Sequence, residues 1–367
     1  MHPSPPPANS SDRLPALDGL RGIAVLLVVA WHYAGPANVW FPVWSGVDLF
    51  FVLSGYLITG RLLATKEKPG YFSLFYRNRI LRIFPLYYVF LIGFLLAVHF
   101  FVHNHRAAYG IYLVHWKSFL FFLQNWTFIR YPLPADQSLL PLWSLAVEEQ
   151  FYLLWPLLIL VTPNAIRPKI FMFLIVLVLL SRICWYLFMP QSVGSIYYNT
   201  FFRSDAFLAG SLLRQWHVTG KKIPAIGVNA SLPILAAMLV AGCLWSGGTS
   251  YEGPFFATAG YTLLALFYTG ILHLGTQPEN ALSRFLRRPI LLFFGRISFC
   301  LYLIHFPILV FIVTRAHTYG IQHWPGHQAL VKTMATGMAI AIAIAISAWS
   351  NRYFESIFLR LKKHPVT

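Results

Sequence analysis

Apolar runs of about 20 residues recur along the whole chain, and no other feature constrains its fold so strongly. Such a run, wound as a helix, crosses the roughly 30 Å of hydrocarbon in a bilayer. Lipid offers no partner to a backbone N–H or C=O, so each run has to satisfy its own hydrogen bonds as a helix. The runs fall at about 22–39, 46–62, 83–102, 144–162, 170–188, 204–216, 230–246, 255–273, 290–313 and 329–349. Between them no stretch is long enough and polar enough to hold a separate soluble domain. Mean hydropathy is +0.61, and only 11% of residues are charged. The expected fold is an all-α polytopic membrane protein with about ten transmembrane helices. Its expected parts are a disordered Pro-rich tail (1–13), a membrane domain (14–350) and a basic tail (351–367).

Residues 110–128 resist this scheme. The run GIYLVHWKSFLFFLQ at 110–124 is short and contains Lys117. If it crossed, Arg167 and Lys169 would fall on the side otherwise poor in Lys and Arg. A re-entrant or interfacial segment near 110–128 removes the conflict. With that assignment roughly three-quarters of the Lys and Arg lie on one side, the positive-inside pattern, and both termini lie on it too. The net charge of +17 is therefore mostly topological, and nucleic acid is not an expected partner. Three cysteines (Cys184, Cys243, Cys300) lie far apart within apolar runs, where they read as small buried hydrophobes.

Ionisable groups inside membrane spans are expensive and therefore candidate functional residues. Arg21 opens the first span and His32 sits eleven residues on, about 16–17 Å and three turns along one helical face. Asp18, three residues before Arg21, is spaced to pair with it. The second span brings Asp48 to a depth similar to that of His32. An imidazole suits general-base chemistry near neutral pH, although a histidine can equally bond two helices together. Arg79 and Arg82 share a face of the third span and form a fork suited to phosphate, with Arg77 a third candidate ligand beside them; the alternative is a purely topogenic cluster.

Glu148 and Glu149 are adjacent, so about 100° of helix rotation separates them and one is expected to face inward. Arg203 and Asp205, two residues apart, are expected to reach different neighbouring helices. Tyr302 and His305 share a face, either lining a common cavity or bonding across helices. Ser54 is a further candidate cavity-lining residue, with Glu149, Arg203, Asp205, Tyr302 and His305. His99, His103 and His105 have a metal-like spacing without a nearby carboxylate, and no metal site is expected.

Taken together, these stretches resemble acyltransferase family 3, the integral membrane O-acyltransferases of bacteria that modify surface glycans. The matching pieces are LDGLRGIAVLLVVAWHY, GVDLFFVLSGYLITG, RNRILRIFPLY, LWSLAVEEQFYLLWP, TFFRSDAFLAG and RISFCLYLIHFPI, in the family's order. Some members append an SGNH hydrolase-like domain; this chain resembles the stand-alone form. The resemblance implies transfer of an acyl group, often acetyl, from cytoplasmic acyl-CoA to a hydroxyl of a cell-surface or lipid-linked glycan at the bacterial inner membrane. Acyl-CoA is then a co-substrate, with no bound cofactor. Arg21 and His32 match the family's essential Arg/His pair, Arg79 and Arg82 its Arg-x-x-Arg motif, and Glu148 the acid of its Trp-Ser-Leu-x-x-Glu block. His32 is then expected to remove the acceptor's proton, oriented by Asp48 or Glu148. The alternative is a multi-pass transporter or flippase, for which intramembrane charges would line a path. Inverted repeats with matched broken helices would favour that alternative, and none are evident.

Overall fold

The computed structural model describes residues 14–34, 42–101, 106–221, 223–324 and 326–362. The tail at 1–13 and His103 and His105 lie outside the described residues. Helix α1 (Pro15–Ala34) is followed by α2 (Gly46–Thr65) and α3 (Tyr71–Phe101). Three short helices come next: α4 (Gly110–Val114), α5 (Trp116–Leu120) and α6 (Gln124–Arg130). Then follow α7 (Leu142–Val161), α8 (Arg167–Phe188), the short α9 (Gly194–Tyr198), α10 (Ser204–Val218), α11 (Ala225–Trp245) and α12 (Tyr261–Thr276). A short α13 (Ala281–Leu286) leads to α14 (Pro289–His323) and α15 (Gln328–Trp349), and a π-helical turn, Ser350–Glu355, joins α15 to α16 (Ser356–Arg360).

Among the described residues, nine helical stretches are long and apolar enough to cross a membrane. The protein is a polytopic helical membrane protein. The expected run at 204–216 is the exception: α10 has only 15 residues, about 22 Å at 1.5 Å per residue. It packs against α2, α8 and α12, and its residues 205–213 are buried. Neighbouring helices rather than lipid cover it, so it need not match the hydrocarbon thickness. Residues 110–130 form the three short helices α4, α5 and α6, none of which is long enough to cross. Gln150 anchors this broken stretch from α7, donating to the Phe122 carbonyl (2.7 Å) and Asn125 Oδ1 (2.9 Å) and accepting from Trp126 Nε1 (3.2 Å). Irregular backbone at membrane depth survives because protein side chains satisfy it.

Two helix pairs approach so closely that only glycine fits between them. A methyl group on Gly22 would collide with the Leu291 carbonyl oxygen, and one on Gly295 with the Asp18 carbonyl oxygen. These contacts lock α1 to α14. In the same way, a methyl group on Gly55 would strike the Phe207 carbonyl oxygen and one on Gly210 that of Val52, which locks α2 to α10. Small residues let membrane helices gain van der Waals contact where no hydrophobic effect drives association. Gly295→Leu and Gly210→Leu should each destabilise the protein by about 1–3 kcal/mol or more. The check is thermal unfolding in detergent, with Gly337→Leu as control, because no atom lies within 4 Å of a Cβ built at Gly337.

Candidate active site

The charges inside the bundle fall into two groups. In the first, every guanidinium has protein partners, although Arg203 Nη1 and Arg167 Nε are left without one. Arg203 Nη2 bonds Asp48 Oδ1 at 2.7 Å, with its guanidinium 3.8 Å from the centre of the Tyr261 ring. Arg182 Nη2 bonds Asp205 Oδ2 at 2.8 Å, and its Nε donates to the Thr258 carbonyl at 3.1 Å. Arg167 donates to Gln215 Oε1 and to the Ile159 carbonyl, each at 3.0 Å. All three arginines are buried to 1% exposure or less.

These contacts redirect three sequence expectations. Asp48 does not orient His32; it binds Arg203, which reaches it from the start of α10. Arg203 and Asp205 do reach different helices, α2 in one case and α8 with α12 in the other, but they serve as struts and line none of the cavities described below.

In the second group, among the described residues, Arg79 and Arg82 have no carboxylate within ion-pair distance, and Arg21 has only Asp18, at 3.3 Å. The three arginines line one cavity of about 790 Å³ together with Ser54, Glu148 and Tyr302. Of the two adjacent acids it is Glu148 that faces this space; the Ser54 and Tyr152 hydroxyls both donate to its Oε1. Glu149 Oε1 is buried without a partner. Arg79 lies over the Tyr152 ring at 5.3 Å, and its Nε is buried and unpartnered. Arg77 points elsewhere, donating to the Leu361 carbonyl at 3.5 Å.

Two further cavities adjoin this one. Toward the basic loops, a space of about 940 Å³ shares Arg21, Arg82, Ser298 and Phe299 with it. On the opposite side, a space of about 730 Å³ shares Val47 and Tyr302 with it and contains His32. The walls of this third space include Trp31, Trp44, Trp143, Tyr197, Tyr198 and Tyr251. Tyr302 is the partition. Its hydroxyl bonds Ser144 Oγ and donates to the Pro141 carbonyl at 2.8 Å.

The protonation of His32 follows from its partners. His305 Nδ1 lies 2.9 Å from the Leu301 carbonyl and 2.8 Å from the Tyr302 carbonyl. Both are acceptors, so Nδ1 carries the proton and Nε2 is left with its lone pair. That lone pair faces His32 Nδ1 at 3.1 Å, and His32 Nδ1 also meets the Val28 carbonyl at 2.8 Å. His32 Nδ1 therefore carries the proton, which it shares between the two, and Nε2 of neutral His32 is a bare base. His305 is fully buried and lines none of the three cavities; it holds His32 from behind.

The family model described as an acyltransferase domain matches residues 14–348. The chain belongs to acyltransferase family 3. Among curated relatives, peptidoglycan O-acetyltransferase OatA of Listeria monocytogenes is 31% identical over 81% of this chain and 49% of its own length. O-acetyltransferase OatA of Staphylococcus aureus is 27% identical over 90% of this chain and 56% of its own. The putative peptidoglycan O-acetyltransferase YrhL of Bacillus subtilis is 31% identical over 81% and 49%. The chain thus spans about half the length of these relatives. No solved structure matches it. The matched region contains α1, α2, α3, α7, α8, α10, α12 and α14, the long helices that carry the residues described above.

Sequence reasoning missed Arg182, although an arginine in the middle of the run LIVLVLLSRICW was a visible signal. It also missed Tyr152: the spacing of four from Glu148 was a visible signal, whereas the meeting of both with Ser54 is a tertiary fact. Breaking the Asp48 pair tests its structural role. Asp48→Asn strands a buried guanidinium and should cost about 3–5 kcal/mol. The double variant Asp48→Leu/Arg203→Leu should recover most of that stability in the same thermal assay.

Proposed function

We propose that this family member is a membrane-embedded O-acyltransferase. It moves an acyl group, typically acetyl, from acyl-CoA at the basic end to a hydroxyl of a cell-wall glycan in the aromatic cavity. In this reading the basic loops and both termini face the cytoplasm of a bacterial cell, and the bilayer is the inner membrane. One observation carries the proposal: three adjoining cavities run from unpaired arginines to an imidazole, with Tyr302 and Val47 between the last two. Two of the relatives, of Listeria monocytogenes and, as a putative assignment, of Bacillus subtilis, are named peptidoglycan O-acetyltransferases, which supports this acceptor class. The ring-rich walls beside His32 suit a sugar, whose apolar C–H faces pack on aromatic rings.

Arg79 and Arg82 neutralise the phosphates of the donor, and Arg21 steers the thioester into the middle cavity. Glu148, fixed by two hydroxyls, positions the polar acyl-pantetheine arm. The thioester reaches His32 once the Tyr302 hydroxyl leaves Ser144 and the Pro141 carbonyl. His32 Nε2 then takes the acceptor's proton while the hydroxyl oxygen bonds to the thioester carbonyl carbon. As the tetrahedral centre collapses the C–S bond breaks, and the thiolate takes the proton back from the imidazolium. An ester and free CoA thiol result. His305 acts as a positioning residue, keeping His32 in the tautomer that presents a bare Nε2.

The test uses the full chain in proteoliposomes with acetyl-CoA and peptidoglycan fragments. It reads thiol release together with the mass gain of the acceptor. His32→Ala and His32→Gln should each lower transfer by about 10²–10⁴-fold; retained transfer in both removes His32 from the mechanism. Substrate movement without thiol release would instead make the protein a transporter. Arg79→Ala and Arg82→Ala should each raise the KM for acetyl-CoA about tenfold. His305→Ala should act on kcat, by about 100-fold, with the KM for acetyl-CoA unchanged.

A further inference from the structure

The C-terminal segment, expected from sequence to be a basic tail, forms a wall of the cavity nearest the basic loops. The π-helical turn at Ser350–Glu355 carries the chain back over the mouth: Asn351 Nδ2 donates to the Arg296 carbonyl at 3.0 Å. Beyond α16, the Leu361 carbonyl accepts from Arg77 of α3. Across the mouth, Glu355 and Arg360 of this segment face Asp18, Arg21, Arg82 and Arg296. Four guanidiniums thus meet two carboxylates, and Asp18 is already engaged with Arg21 at 3.3 Å. Among the described residues, Arg82, Arg296 and Arg360 have no ion pair. Just past α16, Lys362 is half-buried. Burial, and then the guanidiniums of Arg82, Arg79, Arg61 and Arg21, push its ammonium down to about 7.

Arg21 and Arg82 are partly buried, while Arg296 and Arg360 stand exposed at the rim; cations gathered in excess of carboxylates draw an anion to complete them. The guanidiniums of Arg82 and Arg21 reach both this mouth and the middle cavity, so the anion that completes it sits at the entrance to the donor path. We propose that Arg360 is a phosphate ligand, closing from the C-terminal side the site that Arg79 and Arg82 open from α3. The phosphates are those of the acyl donor's nucleotide, so the inference rests on the donor reading above. A lipid headgroup carries the same chemistry, and the membranes used below separate the two sources.

The experiment uses the full chain in phosphatidylcholine nanodiscs with two thioesters. Acetyl-CoA carries the phosphates, and S-acetylpantetheine carries none. The measured quantity is the ratio of kcat/KM for the first to that for the second. Arg360→Ala should lower this ratio by about tenfold, whereas Arg360→Lys should keep most of it. Equilibrium binding of CoA itself, which undergoes no reaction, should weaken by a similar factor in the alanine variant. An unchanged ratio, an equal loss with both thioesters, or a loss seen only when phosphatidylglycerol is added overturns the proposal. Failure of the wild-type chain to consume acetyl-CoA or bind CoA overturns the donor reading and this inference with it. Wild-type activity with an unaffected alanine variant overturns this inference alone.

Discussion

A guanidinium ion cannot sit in a low-dielectric interior without an anion, a ring face or water to answer it. That constraint sorts the arginines of this bundle. Arg167, Arg182 and Arg203 are wholly buried, and each is met by carbonyls, an amide or a carboxylate drawn from other helices. They tie α2, α7, α8, α10 and α12 into one frame. Among the described residues Arg79 has only ring faces, that of Tyr152 at 5.3 Å, Arg82 has no ion pair, and Arg21 has only a neighbour on its own helix. Those three face hollow space. The frame determines where the hollow space is, and the unanswered arginines determine what can fill it.

The imidazoles follow a related logic. A histidine in a span is commonly a hydrogen bonder between helices, and His305 has that role, with its protonated nitrogen spent on two carbonyls of its own helix. Because those partners only accept, the orientation passes to His32 without ambiguity. The unprotonated edge of His32 is therefore set by the Val28 carbonyl of its own helix and, two contacts away, by backbone oxygens of α14.

Much of this was legible in the chain. Charges that interrupt apolar runs identified Arg21, His32, Arg79, Arg82 and Glu148, and the three-residue spacing of Asp18 and Arg21 predicted their pairing. Helical phase also separated Glu148 from Glu149, and Arg203 from Asp205. What could not be read was which helices become neighbours. Asp48 and His32 lie at similar depth, yet a buried carboxylate binds whichever cation the packing brings closest, and the α2–α10 glycine contact brings Arg203. Ser54, Tyr152 and Glu148 converge from two helices whose sequences carry no mark of the meeting. The segment after Trp349 was taken for a tail because positive charge alone does not distinguish a solvated end from the rim of a cavity. Residues 204–216 were counted as an ordinary crossing because hydropathy measures apolarity and not enclosure.

The glycine contacts between α1 and α14 have a mechanical consequence. Gly22 rests on the backbone of α14 and Gly295 on that of α1, one on each side of Arg21's turn, so the two helices cannot slide like pistons past each other. Arg21 and His32 ride on one of these helices, while Tyr302 and His305 ride on the other. The helix itself sets the axial interval between the guanidinium and the imidazole, and the glycine contacts fix its register against Tyr302 and His305. In the proposed transfer, passage from the middle chamber to the ring-walled one then falls to the side chains between them, those of Tyr302 and Val47.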